Sequence, residues 1–246
     1  MAIAGTNEAL MGIEFRSFTD AAAMADAAAR DIADALAAAI AARGRASLVG
    51  AGGRTPAAIY DRLANADLPW AQVWAMPGDE RWVAPDHAAS NQAMLMRALA
   101  RGRAAAVHVV GLKTADATPA QGLGIVEQRI RALARPFDMV MLGMGTDGHT
   151  ASLFPGAKGL DAALDPAATA YAAAITPEPL PPEAPFARAT LTLRALLDAR
   201  RIVLLLQGAA KKRVYEAALA GTDALAMPVR AVLHQDKVPV TVYYAD

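Results

Sequence analysis

Short apolar runs alternate along this chain with longer segments in which apolar residues recur at helical spacing. The runs predict strands at residues 46–49, 73–76, 107–110, 137–142, 190–193, 202–206 and 238–244. The longer segments predict helices at residues 19–42, 56–63, 90–100, 119–134 and 211–219. Residues 77–89 are predicted to form a polar loop, and residues 176–186 a proline-rich surface loop.

This alternation predicts an α/β fold with a mainly parallel sheet flanked by helices, because helical crossovers connect parallel strands. Ligands of such sheets bind beyond the carboxyl ends of the strands. The loops after Val49, Met76, Leu142 and Leu206 are therefore the expected places for chemistry. No repeat or domain boundary is visible, so residues 1–246 are expected to form a single domain.

The composition is that of a globular protein without a strong net charge. The chain has 246 residues, 55% of them hydrophobic, and 24 Lys+Arg balance 24 Asp+Glu. A neutral chain exerts no long-range attraction on nucleic acid or on an anionic membrane, so neither is expected as a partner. An anionic small molecule would have to be held by a local cluster of cations.

Cysteine is absent, which excludes disulfides, thiolate catalysis and Cys-ligated metal sites. The histidines, His87, His108, His149 and His234, are far apart in sequence, so a metal site is disfavoured, although folding could assemble one.

Residues 1–16 lack the pattern of a signal peptide, and no segment has the roughly 20 apolar residues that cross a bilayer. The expected location is the cytoplasm.

A glycine-rich loop, residues 50–56 (Gly-Ala-Gly-Gly-Arg-Thr-Pro), lies between a predicted strand and a predicted helix. Glycine lets backbone N–H groups approach a ligand, and the start of a helix favours a phosphate. An ordinary tight turn is the alternative, and the Lys-Ser/Thr ending of a nucleotide P-loop is missing.

Residues 78–82 (Gly-Asp-Glu-Arg-Trp) place two carboxylates and an arginine directly after another predicted strand, and Ser90 and Asn91 follow. An exposed charged loop would have the same composition. The functional alternative is that Arg81 binds a phosphate or carboxylate through two parallel hydrogen bonds.

The most specific segment is residues 142–155 (Leu-Gly-Met-Gly-Thr-Asp-Gly-His-Thr-Ala-Ser-Leu-Phe-Pro), which places His149 in a glycine loop after a predicted strand. A histidine side chain with the usual pKa of about 6.5 can be neutral near pH 7 and act as a general base. The alternative is a loop histidine that caps backbone groups. Residues 143–148 also match the dinucleotide fingerprint G-x-G-x-x-G, but Pro155, Gly156 and Gly159 interrupt the helix that this fingerprint requires.

Three cations follow later in the chain. Arg188 begins the segment Arg-Ala-Thr-Leu-Thr-Leu, and Lys211 and Lys212 lie at the start of a predicted helix, where anions bind readily. Ordinary surface charge is the alternative for each of them.

Together these segments resemble the 6-phosphogluconolactonase family, a relative of glucosamine-6-phosphate deaminases. The family pattern contains Ser-Gly-Gly-Ser-Thr-Pro, Asp-Glu-Arg with a downstream Ser-Asn, Gly-x-Gly-x-Asp-Gly-His-Thr-Ala-Ser-Leu-Phe-Pro, Arg-x-Thr-Leu-Thr and Gly-x-x-Lys. The matching segments of this chain, in the same order, are residues 51–56, 79–81 with 90–91, 143–155, 188–192 and 208–211.

The resemblance implies a Rossmann-like three-layer fold, no cofactor, no metal, and hydrolysis of 6-phospho-D-glucono-1,5-lactone to 6-phospho-D-gluconate in the oxidative pentose phosphate pathway. It also implies that His149 is the base and that the sugar phosphate is bound by Gly52, Gly53, Thr55, Arg81, Arg188 and Lys211. Further candidate contacts to the substrate are Asp79, Glu80, Asn91 and Gly145. Ala51 and Arg54 stand where the commoner pattern has serines, and Arg54 could add a phosphate contact.

The expected mechanism has neutral His149 take a proton from the water that attacks the lactone carbonyl. Arg81 or backbone N–H groups of a glycine loop could stabilise the oxyanion, and Asp147 could orient the histidine. The deaminase relatives carry a glutamate where this chain has Phe154, and an apolar ring cannot move protons, which favours the lactonase. A sugar-phosphate isomerase or deaminase and a non-catalytic sugar-phosphate sensor stay as alternatives, as do a monomer and a dimer.

Overall fold

The apolar runs form the strands of a parallel sheet in the computed structural model, which describes residues 12–182 and 184–246. The strands in these residues are β1 (Ile13–Phe18), β2 (Ala46–Gly50), β3 (Val73–Pro77), β4 (Asp79–Arg81), β5 (His108–Val109), β6 (Met139–Gly143), β7 (Ala172–Ile175), β8 (Arg188–Leu191), β9 (Ile202–Gln207) and β10 (Val240–Ala245). Seven of them form one sheet in the order β1-β10-β9-β6-β2-β3-β5, and every neighbouring pair is parallel. The order β4-β8-β7 makes a small antiparallel sheet.

Helices connect these strands and cover the large sheet. The α-helices in the described residues are α1 (Ala21–Arg43), α2 (Arg54–Leu63), α3 (Asn91–Ala98), α4 (Pro119–Ala132), α5 (Leu160–Leu164), α6 (Leu193–Leu197), α7 (Ala209–Ala220) and α8 (Val229–Leu233). Asp20 begins α1 by accepting a hydrogen bond from the N–H of Ala23 at 2.8 Å, and Gly44 ends it in the left-handed conformation that glycine adopts without strain.

The two faces of the sheet carry separate hydrophobic cores, because successive side chains of a strand point to opposite sides. Leu48 and Leu205 pack with α1, α2 and α3 on one face. Val49 and Leu204 pack on the other face with α4 to α8 and with the small sheet. The result is a three-layer α/β fold with a parallel central sheet, which confirms the predicted fold class.

Several elements differ from the sequence prediction. The polar loop predicted at residues 77–89 contains strand β4, whose partner β8 is more than a hundred residues away in sequence and leaves no local signal. The strand predicted at residues 190–193 instead runs from Arg188 to Leu191, since Thr192 accepts a hydrogen bond from the N–H of Ala195 and begins α6. The sequence prediction also missed β1, β7, α5, α6 and α8, which are short or lie at the edge of a sheet.

No helix among the described residues is long and apolar enough to cross a membrane. The expectation that the chain lacks a signal peptide concerns mainly residues 1–11, which lie outside the described residues. The proline-rich segment at residues 176–186 contains neither helix nor strand in its described part, which excludes Glu183.

Asp138 links α1, β2 and the segment before β6 at the edge of the sheet opposite to the carboxyl ends. Its buried carboxylate accepts hydrogen bonds from the N–H and the hydroxyl of Ser47, at 2.8 and 3.3 Å, and from Arg43. A buried carboxylate that is paired in this way leaves uncompensated groups behind when it is removed.

We therefore expect Asp138→Ala to lower the free energy of unfolding by about 3 kcal/mol, because the Ser47 N–H and the Arg43 guanidinium lose their partner. Asp67→Ala is the matched control, since Asp67 forms an exposed ion pair with Arg103 and should unfold like the wild type. Urea denaturation of both variants measures the difference. Equal stabilities would show that the Asp138 network contributes nothing.

Candidate active site

A cleft with a volume of about 250 Å³ opens at the carboxyl edge of the parallel sheet. It lies between the glycine loop after β2, strand β4, the segment after β6 and the start of α7. The residues that line it are Gly50, Ala51, Gly52, Gly53, Gly78, Asp79, Arg81, Asn91, Met141, Leu142, Gly143, Met144, Gly145, His149, Ala151, Phe154, Pro181, Ala184, Arg188 and Lys211. This is the edge at which sheets of this type bind their ligands.

The segment after β6 folds into a tight turn that presents His149 to the cleft. The N–H of Gly145 donates to the carbonyl of His149 at 2.8 Å, and the hydroxyl of Thr150 donates to the carbonyl of Gly143 at 2.9 Å. Gly148 has a φ of 79°, which a residue with a side chain adopts only with strain. The N–H of Val229 donates to the carbonyl of Gly148 at 2.9 Å, so α8 anchors the turn from outside.

Inside this turn, Asp147 binds the imidazole of His149. The Nδ1 atom lies 2.6 Å from a carboxylate oxygen of Asp147, and the His149 N–H donates to the same oxygen at 3.1 Å. Partial burial would raise the pKa of the Asp147 carboxyl, but the hydrogen bond and the charge of His149 outweigh it and hold this pKa below its usual value. The contact directs Nδ1 toward Asp147 and leaves Nε2 as the nitrogen that can act as a base.

The aromatic ring of Phe154 lies against the same imidazole. The two ring centres are 4.1 Å apart with an angle of 33° between the planes. The guanidinium carbon of Arg188 lies 5.8 Å from the centre of the Phe154 ring. Arg188 is buried, and its side chain donates to the carbonyl of Ala184 at 2.8 Å.

The two carboxylates of strand β4 occupy different places. Asp79 lines the cleft and accepts hydrogen bonds from the amide of Asn91 at 3.0 Å and from the hydroxyl of Ser152. Glu80 does not line the cleft; it is fully buried and accepts from the backbone N–H groups of Asn91 and Gln92, both at 2.8 Å, at the start of α3. Burial raises the pKa of the Glu80 carboxyl, although these N–H donors act in the opposite direction.

Arg81 and Lys211 add positive charge to the cleft from two different elements, β4 and α7. The Arg81 side chain donates to the carbonyl of Ala89 at 2.7 Å, and its buried Nε finds no acceptor among the described residues. Lys211 donates to the carbonyl of Met144. Partial burial lowers the pKa of Lys211, while the negative charge of Asp147 raises it by a smaller amount. Lys212 points elsewhere, with its ammonium 5.5 Å from the ring centre of Tyr244.

Besides Glu80, two further predicted substrate contacts lie outside this cleft. Arg54 and Thr55, at the start of α2, line an adjoining groove that shares Gly52, Gly53 and Lys211 with the cleft. The Thr55 hydroxyl donates to the side-chain oxygen of Gln207 at 2.9 Å.

The fold thus brings most of the predicted site residues to one place. The predicted residues that line the cleft are Gly52, Gly53, Asp79, Arg81, Asn91, Gly145, His149, Arg188 and Lys211. Asp147 contacts His149, and Glu80 is bonded to the start of α3. Arg54 and Thr55 lie in the adjoining groove. Sequence reasoning missed Pro181 and Ala184, which lie in the proline-rich loop ahead of Arg188. Among the described residues, no three His, Asp or Glu side chains cluster in a way that could hold a metal ion.

The fold and the cleft define an α/β protein that presents a histidine–aspartate pair beside three cations, a class suited to small anionic ligands. Residues 19–241 match the family model described as glucosamine-6-phosphate isomerases/6-phosphogluconolactonase. The chain belongs to this family.

Similar proteins in this family carry the name 6-phosphogluconolactonase. One from Pseudomonas putida is 41% identical over 94% of this chain and 93% of its own length, and one from Rhizobium meliloti is 40% identical over 96% and 100%. The crystal structure of a 6-phosphogluconolactonase from Shewanella baltica superposes with a TM-score of 0.90 at 38% identity, covering 98% of this chain and 100% of that one. A monomeric glucosamine-6-phosphate deaminase, at 20% identity and a TM-score of 0.76, shares the fold.

The Asp147–His149 contact depends on the absence of a side chain at Gly145, where a Cβ would lie 2.1 Å from Nδ1 of His149 and 2.3 Å from the Asp147 oxygen. Gly145→Ala should therefore separate the pair, and the pKa of Asp147 should rise because the His149 hydrogen bond no longer lowers it. A carboxylate NMR titration measures this pKa.

Gly143→Ala is the matched control, since a Cβ at Gly143 meets nothing within 4 Å. It should leave the Asp147 titration unchanged. A Gly145→Ala variant that titrates like the Gly143→Ala variant would contradict the assigned role of the His149 contact.

Proposed function

We propose that this chain hydrolyses 6-phospho-D-glucono-1,5-lactone to 6-phospho-D-gluconate, with His149 as the general base. The observation that carries this proposal is the Asp147-bound imidazole in a cleft that also contains Arg81, Arg188 and Lys211. The relatives named 6-phosphogluconolactonase, between 38% and 41% identical over nearly the whole chain, support the same substrate. The step is carboxylic ester hydrolysis in the oxidative pentose phosphate pathway.

The substrate phosphate is assigned to Lys211 and Arg188. Lys211 lies in the first turn of α7, whose first N–H groups lack a side-chain cap because Gly208 is the N-cap residue. Positive charge at a helix start suits a phosphate. Arg188 is fixed at one end by the carbonyl of Ala184, so its guanidinium is held in place before the ligand arrives. The glycines at 52 and 53 let the backbone approach the same group.

The proton transfer is assigned to His149. With Nδ1 donating to Asp147, the lone pair of Nε2 can take a proton from a water molecule as the water oxygen bonds to the lactone carbonyl carbon. When the tetrahedral intermediate collapses, the bond to the ring oxygen breaks and that oxygen receives the proton from His149. Asp147 stabilises the imidazolium that exists between the two steps.

The oxyanion of the tetrahedral intermediate is assigned to Arg81. Arg81 lines the cleft, and among the described residues its guanidinium bonds only to the carbonyl of Ala89, through Nη1, so further N–H donors are left for a ligand. Preorganised donors of this kind stabilise developing negative charge. Asp79 and Asn91 line the cleft as candidate contacts for the sugar hydroxyls.

Glu80, Arg54 and Thr55, which lie outside the cleft, are not assigned a direct contact with the substrate. The hydrogen bonds of Glu80 favour a positioning role at the start of α3 over direct substrate contact. A phosphate contact by Arg54 or Thr55 would have to reach through the adjoining groove and stays a prediction. The cytoplasmic location and the single domain also stay predictions from the sequence, and the oligomeric state stays open between monomer and dimer.

Two alternative functions are less well supported. A glucosamine-6-phosphate deaminase or isomerase would need a proton-carrying group beside the base, whereas Phe154 packs on His149 in this chain. A non-catalytic sensor would not need the Asp147–His149 pair. Ammonia release from glucosamine 6-phosphate, or an absence of any turnover, would point to the first or the second alternative.

His149→Ala should lower kcat by about 10²–10⁴-fold with little change in KM, because it removes the base and leaves the phosphate contacts in place. The assay is acid release from freshly prepared lactone, corrected for the spontaneous rate. His108→Ala is the control, since His108 lies on the edge strand β5 and stacks on Trp74. Near-wild-type turnover in His149→Ala would refute the assignment of the base.

The lowered pKa of Lys211 predicts a pH dependence of binding. Because burial lowers this pKa, Lys211 loses its charge at a lower pH than an ordinary lysine, and affinity for 6-phosphogluconate should already fall as the pH rises from neutrality toward the ordinary lysine pKa of about 10.5. Titration calorimetry across this range should show the loss in wild type and not in Lys211→Arg, whose guanidinium stays charged.

Lys212→Arg is the matched control for this experiment, because Lys212 is exposed and directed toward Tyr244. It should keep the wild-type pH dependence. If the affinities of Lys211→Arg and of the wild type fall in parallel as the pH rises, the assignment of the phosphate to Lys211 is wrong.

A further inference from the structure

One aromatic ring touches both ends of the proposed reaction site. Phe154 lies 4.1 Å, centre to centre, from the imidazole of His149, and the guanidinium carbon of Arg188 lies 5.8 Å from the centre of the same ring. Phe154 is half-buried and lines the cleft. Its side chain therefore connects the group assigned to the proton with a group assigned to the phosphate.

Each polar group has a hydrogen bond at one end and the Phe154 ring as an aromatic neighbour. The contact of His149 with Asp147 fixes the direction of Nδ1. The tilt of the imidazole plane about that direction is set by the Phe154 ring that packs on its face. The Arg188 side chain has an anchor at the carbonyl of Ala184, and the Phe154 ring adds an aromatic surface near its guanidinium carbon. Arginine stacks readily on aromatic faces, and aromatic rings pack in preferred tilted or offset geometries.

Phe154 is itself held firmly. It follows Leu153, which is fully buried in the core beside the small sheet, and Ser152, whose hydroxyl donates to Asp79 and whose N–H donates to Thr190 on β8 at 3.2 Å. The ring therefore stands on a segment that is tied both to β4 and to β8.

We propose that Phe154 is a positioning residue, whose ring sets the orientation of the His149 imidazole and of the Arg188 guanidinium together and thereby the spacing between the base and the phosphate site. This proposal rests on the proposed function, and it concerns the geometry within that site. Small errors in such a spacing are costly, because a displacement of about 1 Å can reduce turnover about 10²-fold.

The two contacts of Phe154 predict a change in the kinetic constants that differs from the change expected on loss of His149 or of a phosphate contact. Loss of His149 affects kcat, and loss of a phosphate contact affects KM. Loss of the Phe154 ring should change both quantities in one variant, because the base and the cation lose the same support.

The experiment compares Phe154→Leu, Phe154→Tyr and the control Phe186→Leu. Phe186 is a second half-buried phenylalanine, in edge contact with His87, and it does not line the cleft. Phe154→Leu should lower kcat about 10-fold and weaken the binding of 6-phosphogluconate about fivefold. Phe154→Tyr keeps the ring faces and should stay within about twofold of wild type in both. Phe186→Leu should match the wild type.

A second readout tests the orientation directly. The proton on Cε1 of His149 should lose its ring-current shift in the NMR spectrum of Phe154→Leu and keep it in Phe154→Tyr. If Phe154→Leu does not fold, as judged by circular dichroism, Phe154→Met takes its place, because methionine fills a similar volume without a ring.

Unchanged kcat and product affinity in Phe154→Leu would overturn the proposal, and so would a Phe154→Tyr variant as impaired as Phe154→Leu. These outcomes are distinct from failure of the proposed function. If the wild type does not accelerate lactone hydrolysis, the function is wrong, whereas an active wild type with an equally active Phe154→Leu variant removes only the role of Phe154.

Discussion

The hydrogen bond between Asp147 and Nδ1 of His149 is the interaction on which the rest of the site depends. It decides which imidazole nitrogen is available to a water molecule, and it forms only because the chain turns sharply after β6. Gly145 has no Cβ to separate the two side chains, Gly148 takes a positive φ, and α8 binds the turn through the N–H of Val229. The parallel sheet provides the rigid edge from which this turn starts.

Charge is distributed so that the cleft stays attractive to an anion although the chain is neutral overall. Arg81, Arg188 and Lys211 come from three separate elements, β4, β8 and α7, and meet at one edge of the sheet. The neighbouring carboxylates of Asp79 and Glu80 are balanced by protein donors, which limits their repulsion of a phosphate. The antiparallel pairing of β4 with β8 places Arg81 directly opposite Arg188, so the small sheet sets the spacing of two of the three cations.

The parts of the fold that could be predicted from sequence are those with a strong local pattern. The apolar runs of β2, β6 and β9 and the capped helix α1 were predicted within a few residues, because burial on both faces and a cap leave local signals. Strand β4 could not be predicted, since its residues are charged and its partner is distant in sequence. For the same reason, sequence alone did not separate Asp79, in the cleft, from Glu80, which is buried beneath it, or show that Arg54 and Thr55 lie in an adjoining groove.

The protonation state of the His149 nitrogens tests the central claim most directly. Nitrogen-15 NMR of the imidazole near neutral pH, with 6-phosphogluconate bound, distinguishes a proton on Nδ1 from a proton on Nε2. If Asp147 orients the base as the contact indicates, the proton resides on Nδ1 and Nε2 carries a free lone pair. A neutral imidazole with its proton on Nε2 would contradict the account, because the nitrogen assigned as the base could not then accept a proton from water.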